Sequence, residues 1–249
     1  MSNIAYIKND GIVEIVINRP EKKNSLTAKM YGDLNDSFNQ AALDNTVQVV
    51  NLKGQGGTFT AGNDINDFAT TPKNTTSETT NVMKFIKTVS NFEKPIIASV
   101  NGMAIGIGVT ILMHCDFVYT TRGTTFLLPF VKLGLCPEAA SSILLPLNSN
   151  GLMSKEKLLL GEPFDADEAL KMGIVTAIFD EDKELTNKSN ETANKICQLP
   201  TTSLITTKKL INQTFKDLIN KRINEEGKTL FKLLHSQDAK SAFAKFLKS

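Results

Sequence analysis

The chain has 249 residues, 41% of them hydrophobic and 22% charged, an ordinary globular composition that excludes a disordered chain. Its formal net charge of +2, with no long run of one sign, gives no support to a nucleic-acid-binding role. The longest apolar stretch, around Ile105 to Met113, is too short to span a bilayer, and the first residues lack a signal-peptide layout, so no membrane association is expected.

Two alternating strand patterns open the chain. Ile4, Tyr6 and Ile7 lead to Asn9-Asp10-Gly11, and Val13, Ile15 and Ile17 follow, which predicts a hairpin with an Asp-Gly turn. Asn18-Arg19-Pro20 ends the second strand, and Lys22 to Ser25 forms a polar loop. Met30, Leu34 and Phe38 then recur at helical spacing. A short apolar strand, Val47 to Leu52, runs into a glycine-rich loop from Gly54 to Gly62. The Thr-, Asn- and Ser-rich segment Thr70 to Thr80 reads as a mobile surface loop, followed by a helix to about Phe92.

Ile96 to Val100 is a buried strand, Asn101-Gly102 a turn, and Gly106-Ile107-Gly108 introduces an apolar helix reaching about Cys115. Asp116 to Tyr119 is another strand. Beyond Glu138 the pattern is mostly helical, broken at Gly161 to Asp165, where Asp165 or Asp167 is a candidate N-cap. Val175 to Phe179 is a last strand, and three or four helices complete the chain, with Phe231, Phe243 and Phe246 facing a core. Alternating strands and helices predict an α/β fold with mainly parallel pairing. Residues 1–195 read as the core domain and 196–249 as a helical subdomain.

Three segments are candidates for chemistry. In Gly56 to Ile65, glycines let the backbone approach a ligand and free N–H groups to polarise a carbonyl; a plain strand-to-helix turn is the alternative. In Asn101 to Thr110, a helix N-terminus offers N–H groups to a developing oxyanion; the alternative is tight packing at Gly106 and Gly108. In Phe126 to Ser142, the lone carboxylate Glu138 sits among apolar and small residues, where desolvation raises its pKa toward that of a general base. From the residues alone, a helix-start glutamate favoured by the helix dipole is the stronger reading of Glu138.

Cys115, Cys136 and Cys197 are odd in number and widely spaced, which suggests neither a disulfide framework nor a zinc site. They read as buried free thiols in a reducing compartment, and a cytoplasmic location is expected. Of the two histidines, His114 reads as a core residue, and no nucleophilic serine motif accompanies either.

Taken in order, these segments resemble the crotonase, or enoyl-CoA hydratase/isomerase, superfamily over nearly the whole chain. The resemblance rests on Asn18-Arg19-Pro20 with Asn24-Ser25-Leu26, on Ala61 to Ile65, on Asn101-Gly102 leading to Gly106, and on Gly161 to Phe164 with Ala169 to Val175. It implies a crotonase (ClpP-like) fold of repeated ββα units, a C-terminal helical region that assembles trimers or dimers of trimers, and coenzyme A thioester substrates. It places the oxyanion-binding N–H groups at Asn63 and Ile107. It also places substrate-binding positions at Lys22, Asn24, Ser25, Leu26, Ala61, Gly62, Asn63, Asp64, Ile65 and Gly106, with Lys245 or Lys248 near the phosphates.

The two hydratase carboxylate positions hold Thr110 and Phe130, while Leu133 to Ser142 resembles the Pro-Glu segment of Δ3,Δ2-enoyl-CoA isomerases. That branch's base maps onto Glu138. The expected activity is therefore 3-enoyl-CoA to trans-2-enoyl-CoA isomerisation in fatty-acid β-oxidation, with no cofactor and no metal. Another acyl-CoA reaction (thioesterase or hydratase-like) and a non-catalytic acyl-CoA binder are the alternatives.

Overall fold

The computed structural model describes residues 3–72 and 77–246. Strands β1 (Ile4–Asn9) and β2 (Ile12–Ile17) form the expected antiparallel hairpin. Its turn places Asp10 and Gly11 at φ 42° and 85°, the left-handed pair that matches the twist of a two-residue hairpin. β3 (Val49–Gly54), β4 (Ile96–Val100), β5 (Met103–Ile105), β6 (Phe117–Thr121), β7 (Thr125–Leu127) and β8 (Ala177–Phe179) follow. The main sheet runs β1-β2-β3-β4-β6-β8 and is parallel after the hairpin.

The short strands β5 and β7 escaped the sequence reading. They pair in parallel as a second sheet, and single-residue bridges extend it, Thr60 to Ala104 on one side and Phe126 to Phe164 on the other. Three-residue strands carry too little periodicity to detect from sequence.

The helices are α1 (Ala28–Leu43), α2 (Ile65–Ala69), α3 (Asn81–Ser90), α4 (Ile107–Thr110), α5 (Ser141–Asn148), α6 (Gly151–Leu160), α7 (Ala166–Lys171), α8 (Asp182–Cys197), α9 (Thr201–Gln213), α10 (Lys216–Leu234) and α11 (Gln237–Phe246). In α1 the apolar stripe Met30, Leu34, Phe38 and Ala41 is buried as its spacing predicts. Thr27 and Thr80 cap α1 and α3, each side chain accepting from an N–H of the first turn. Asp165, not Asp167, caps α7, in a capping box with Glu168. The apolar helix expected through Cys115 divides instead into α4 and a 3-10 turn, Ile111–His114. The Thr70–Thr80 loop lies partly outside the described residues; within it, Ser77–Thr79 form a 3-10 turn.

Because side chains alternate along a strand, the central sheet is buried on both faces. Val49, Ile97 and Tyr119 pack beneath α8 against Leu185, Ala193 and Ile196. Val50, Ile96, Ala98 and Val118 face the other way, into the cluster that holds the apolar stripes of α1 and α3. The chain end joins this larger core through Ile223, Leu230, Phe231, Leu234, Ala239 and Phe243; the Phe246 side chain lies outside the described residues. Among the described residues, no helix is long and apolar enough to cross a membrane.

Lys94, just before β4, is buried, and its ammonium donates to the carbonyls of Ala41 and Asp44 at 2.7 Å each. It thereby ties the end of α1 to the start of the sheet. Lys94→Met should leave these carbonyls unpaired and cost about 1–3 kcal/mol, read as a lowered urea midpoint.

Candidate active site

A cleft of about 840 Å³ gathers most of the residues expected to bind substrate: Lys22, Ser25, Ala61, Gly62, Asn63, Asp64, Ile65 and Gly106, with Lys245 at its border. Met103, Ile105, Leu127, Phe130, Leu133 and Leu135 supply much of its apolar wall. Lys248 lies outside the described residues.

Two loops meet here because glycine removes the atoms that would hold them apart. A Cβ on Gly62, which sits at φ +83°, would fall 2.6 Å from the Ile105 carbonyl oxygen. A Cβ on Gly108 would fall 2.6 Å from the Thr60 methyl. The same approach lets the Ile105 N–H donate to Thr60 O at 3.1 Å, while Gly106 N–H donates to Leu127 O at 2.8 Å. Asn63 and Ile107 are the residues that follow Gly62 and Gly106 at this junction. Among the described residues, neither of their backbone N–H groups finds an acceptor.

Asn63 also borders a second cavity, of about 340 Å³, with Leu26, Tyr31, Asp67, Val82 and Phe231 among its walls. The Tyr31 hydroxyl donates to Asn63 Oδ1. Burial pushes the Tyr31 phenol well above its ordinary pKa, so it remains a donor.

Glu138 does not line either cavity. It is 5% exposed, and Thr110 Oγ1–H donates to its Oε1 at 2.5 Å. Its Oε2 has no partner among the described residues. Burial, reinforced by the charge of Glu226, pushes its pKa up to about 8 against the opposing Thr110 hydrogen bond. The turn that carries it is unusual, since Ala139 and Ala140 are consecutive left-handed residues at φ 57° and 58°. His114 Nε2–H donates to Ala139 O at 2.8 Å, and burial pushes that imidazole down to about 4, so it stays neutral.

Other expected site residues go elsewhere. Asn24 is completely buried, in the left-handed region at φ 56°. Its Oδ1 accepts from Arg19 N at 2.8 Å, and its Nδ2 donates to Gln55 O and Thr58 O at 2.9 and 2.6 Å. It braces the loop behind the cleft. Leu26 is buried and faces the second cavity. Asp64 does reach the cleft, but its carboxylate is paired with Arg19 at 2.7 Å and accepts from the N–H groups of Asn66 and Asp67 at the start of α2. Cys115, Cys136 and Cys197 are free thiols, each partly exposed rather than buried. Among the described residues, no group of three or more His, Cys, Asp and Glu side chains is placed to hold a metal.

With this geometry in place, residues 7–249 match the enoyl-CoA hydratase/isomerase family. The chain belongs to that family. It is 35% identical to the rat protein named enoyl-CoA delta isomerase 2, over 98% of this chain and 63% of that protein. The chain thus spans less than two thirds of that relative's length. Its fold superimposes on an enoyl-CoA hydratase/isomerase from Pseudoalteromonas atlantica T6c with a TM-score of 0.93, at 37% identity, covering 99% of this chain and 97% of that one. The structure of Pseudomonas aeruginosa OdaA matches with a TM-score of 0.96 at 32% identity, over 100% of both chains. The crotonase fold expected from the sequence is therefore the fold observed.

Within this hydratase/isomerase framework, three features escaped the sequence reading. Glu138 is not the lone buried carboxylate, because Glu226 of α10 is 6% exposed and lies beside its turn. Thr110, noted only as a missing carboxylate, is the hydroxyl that holds Glu138. Tyr31 of α1, assigned no role at the site from the sequence, donates to Asn63. Thr110 carried a signal, in that an uncharged donor stands where a hydratase has an acid. Glu226 carried none, since nothing local in the C-terminal helices marks one glutamate as buried.

Two outcomes follow from these contacts. Asn24→Ala should cost about 2–3 kcal/mol by leaving the Gln55 and Thr58 carbonyls and the Arg19 N–H unpaired, measured by urea unfolding. The raised pKa of Glu138 means that the folded chain favours the protonated acid; the associated stability is present below the ordinary carboxylate range and is lost as pH rises through about 8. Glu138→Gln should remove that dependence. Its stability should fall less than that of wild type between about pH 5 and pH 8, where the wild-type loss approaches ~1.4 kcal/mol per pH unit before levelling off above the folded-state pKa.

Proposed function

We propose that this protein is a Δ3,Δ2-enoyl-CoA isomerase that moves the double bond of a 3-enoyl-CoA to give trans-2-enoyl-CoA in fatty-acid β-oxidation. One observation carries the reading: a buried carboxyl with a raised pKa, held through one oxygen by Thr110 and unpartnered at the other, at the position where the isomerase branch has its base. The two positions that carry hydratase carboxylates hold Thr110 and Phe130 instead, which argues against activation of water. The name of the rat relative supports the same reaction.

In this reading the cleft holds the coenzyme A moiety, with Lys22 and Lys245 near its phosphates and Ala61 to Ile65 along it. The thioester oxygen accepts from the N–H groups of Asn63 and Ile107. Ionised Glu138 takes a proton from C2, and the electron pair of that C–H bond passes through C1 to the thioester oxygen, forming a dienolate. Each N–H donor lowers the energy of that oxyanion by about 3 kcal/mol. As the charge returns, the C3–C4 π electrons take the proton from Glu138 at C4, leaving a C2–C3 double bond. One carboxyl suffices because it gives back the proton it removed. The chemistry needs no cofactor and no metal.

Assembly as a trimer or dimer of trimers is part of the same proposal, supported by exposed apolar side chains such as Leu152 and Leu159 on α6 and Leu210 and Ile211 on α9. A cytoplasmic setting fits the three free thiols.

The test is an absorbance assay with 3-hexenoyl-CoA and mass analysis of the product. Wild type should give an isomer of unchanged mass, with kcat/KM rising to a plateau above about pH 8, where the base is ionised. Glu138→Gln should lose about 10²–10⁴-fold in kcat. Equal rates for the two proteins, or release of free CoA or a hydrated product, would overturn the reading in favour of another acyl-CoA reaction. Binding of CoA without turnover would favour a non-catalytic role.

A further inference from the structure

The turn that carries Glu138 is held from the C-terminal region by one side chain. Glu226, in the middle of α10, accepts hydrogen bonds from Ala140 N–H at 2.6 Å and Ser142 N–H at 3.0 Å. It closes the first turn of α5 from outside, since Ala140 precedes that helix and supplies no capping side chain. One helical turn earlier on α10, Arg222 Nη1–H donates to Ser142 Oγ at 3.2 Å. The Glu226 main chain also contributes, its carbonyl accepting from Cys136 Sγ–H at 3.8 Å. These contacts bracket Glu138 on both sides in sequence.

The clamp has work to do. Ala139 and Ala140 both occupy the left-handed region, which alanine adopts only when its surroundings impose it. His114 holds the Ala139 carbonyl from one side and Glu226 holds the Ala140 N–H from the other. Released from either, the turn relaxes and the Glu138 carboxyl loses its register with Thr110.

We propose that Glu226 is a positioning residue for Glu138, fixing the left-handed Ala139-Ala140 turn from α10 while placing a second carboxylate beside the base. This rests on the isomerase reading above. The groups around Glu138 are Thr110 from α4, Tyr31 from α1, His114 behind Ala139, Cys136 on the same loop, and Glu226 with Arg222 from α10. Of these, Glu226 supplies the negative charge that disfavours ionisation of Glu138.

Two variants separate geometry from charge. Glu226→Ala removes both, and kcat should fall about 10²-fold, as for an angstrom-scale misplacement of a catalytic group, with KM within about two-fold of wild type. Glu226→Gln keeps the shape and one acceptor. It should recover part of that loss and shift the rising limb of the pH profile to lower pH. A carbon-13 NMR titration of the Glu138 carboxyl in wild type and Glu226→Gln reads the coupling without substrate, and its midpoint should drop in the variant. An unchanged midpoint together with unchanged kcat in Glu226→Gln overturns the proposal, even if Glu226→Ala fails to fold. Should wild type not isomerise any 3-enoyl-CoA, the titration still decides whether Glu226 acts on Glu138, so failure of the isomerase reading is seen separately.

Discussion

A carboxyl group withdrawn from water needs either a counter-charge or a proton, and Glu138 has no cation against it. It has one hydroxyl donor and a neighbouring carboxylate, and burial together with that second carboxylate raises its pKa against the opposing pull of the Thr110 hydrogen bond. Much of the surrounding architecture serves this one desolvated group. α4 brings Thr110 to its Oε1, the 3-10 turn after α4 brings His114 behind Ala139, and α10 brings Glu226 to the N–H groups of Ala140 and Ser142. Helices far apart in sequence converge on five residues because the turn they stabilise is not one that alanine adopts unaided.

The loops that carry Asn63 and Ile107 depend on a different constraint, the close approach of two backbones. Gly62 and Gly108 permit it by the absence of a side chain, and the small second sheet supports it through the bridge between Thr60 and Ala104. The buried carboxyl held by side-chain hydrogen bonds and the glycine junction held by backbone packing are thus built from separate parts of the chain. Asn24 and the Arg19–Asp64 pair connect the outer loops to this frame. Charged residues that looked available for a ligand are partly occupied in holding the walls in place.

Much of this was legible beforehand. The Asp-Gly hairpin, the α1 stripe and the buried strand Ile96 to Val100 were readable because local periodicity and turn chemistry decide them. The resemblance pointed to Asn63, Ile107 and Glu138 as the reacting positions, and the cleft gathers the loop residues around Gly62 and Gly106, Asn63 among them. Asn24 was assigned to the ligand when it serves the fold, since a buried asparagine and an exposed one look alike in sequence. β5 and β7 were missed because three residues carry almost no pattern, although their pairing leads directly into Gly106.

From the sequence alone come the α/β class, the mainly parallel pairing, the glycine-rich loops, and, through the family resemblance, the one acid at the matched position. These are written locally, in spacing, turn residues and ordered motifs. Only the tertiary structure decides that Glu138 is desolvated, that Thr110 is its donor, and that Glu226 is its buried neighbour. Those facts depend on α4 and α10, more than a hundred residues apart in the chain, both reaching the Glu138 turn, and the dielectric and hydrogen bonds around a carboxyl are properties of that convergence, not of the glutamate itself.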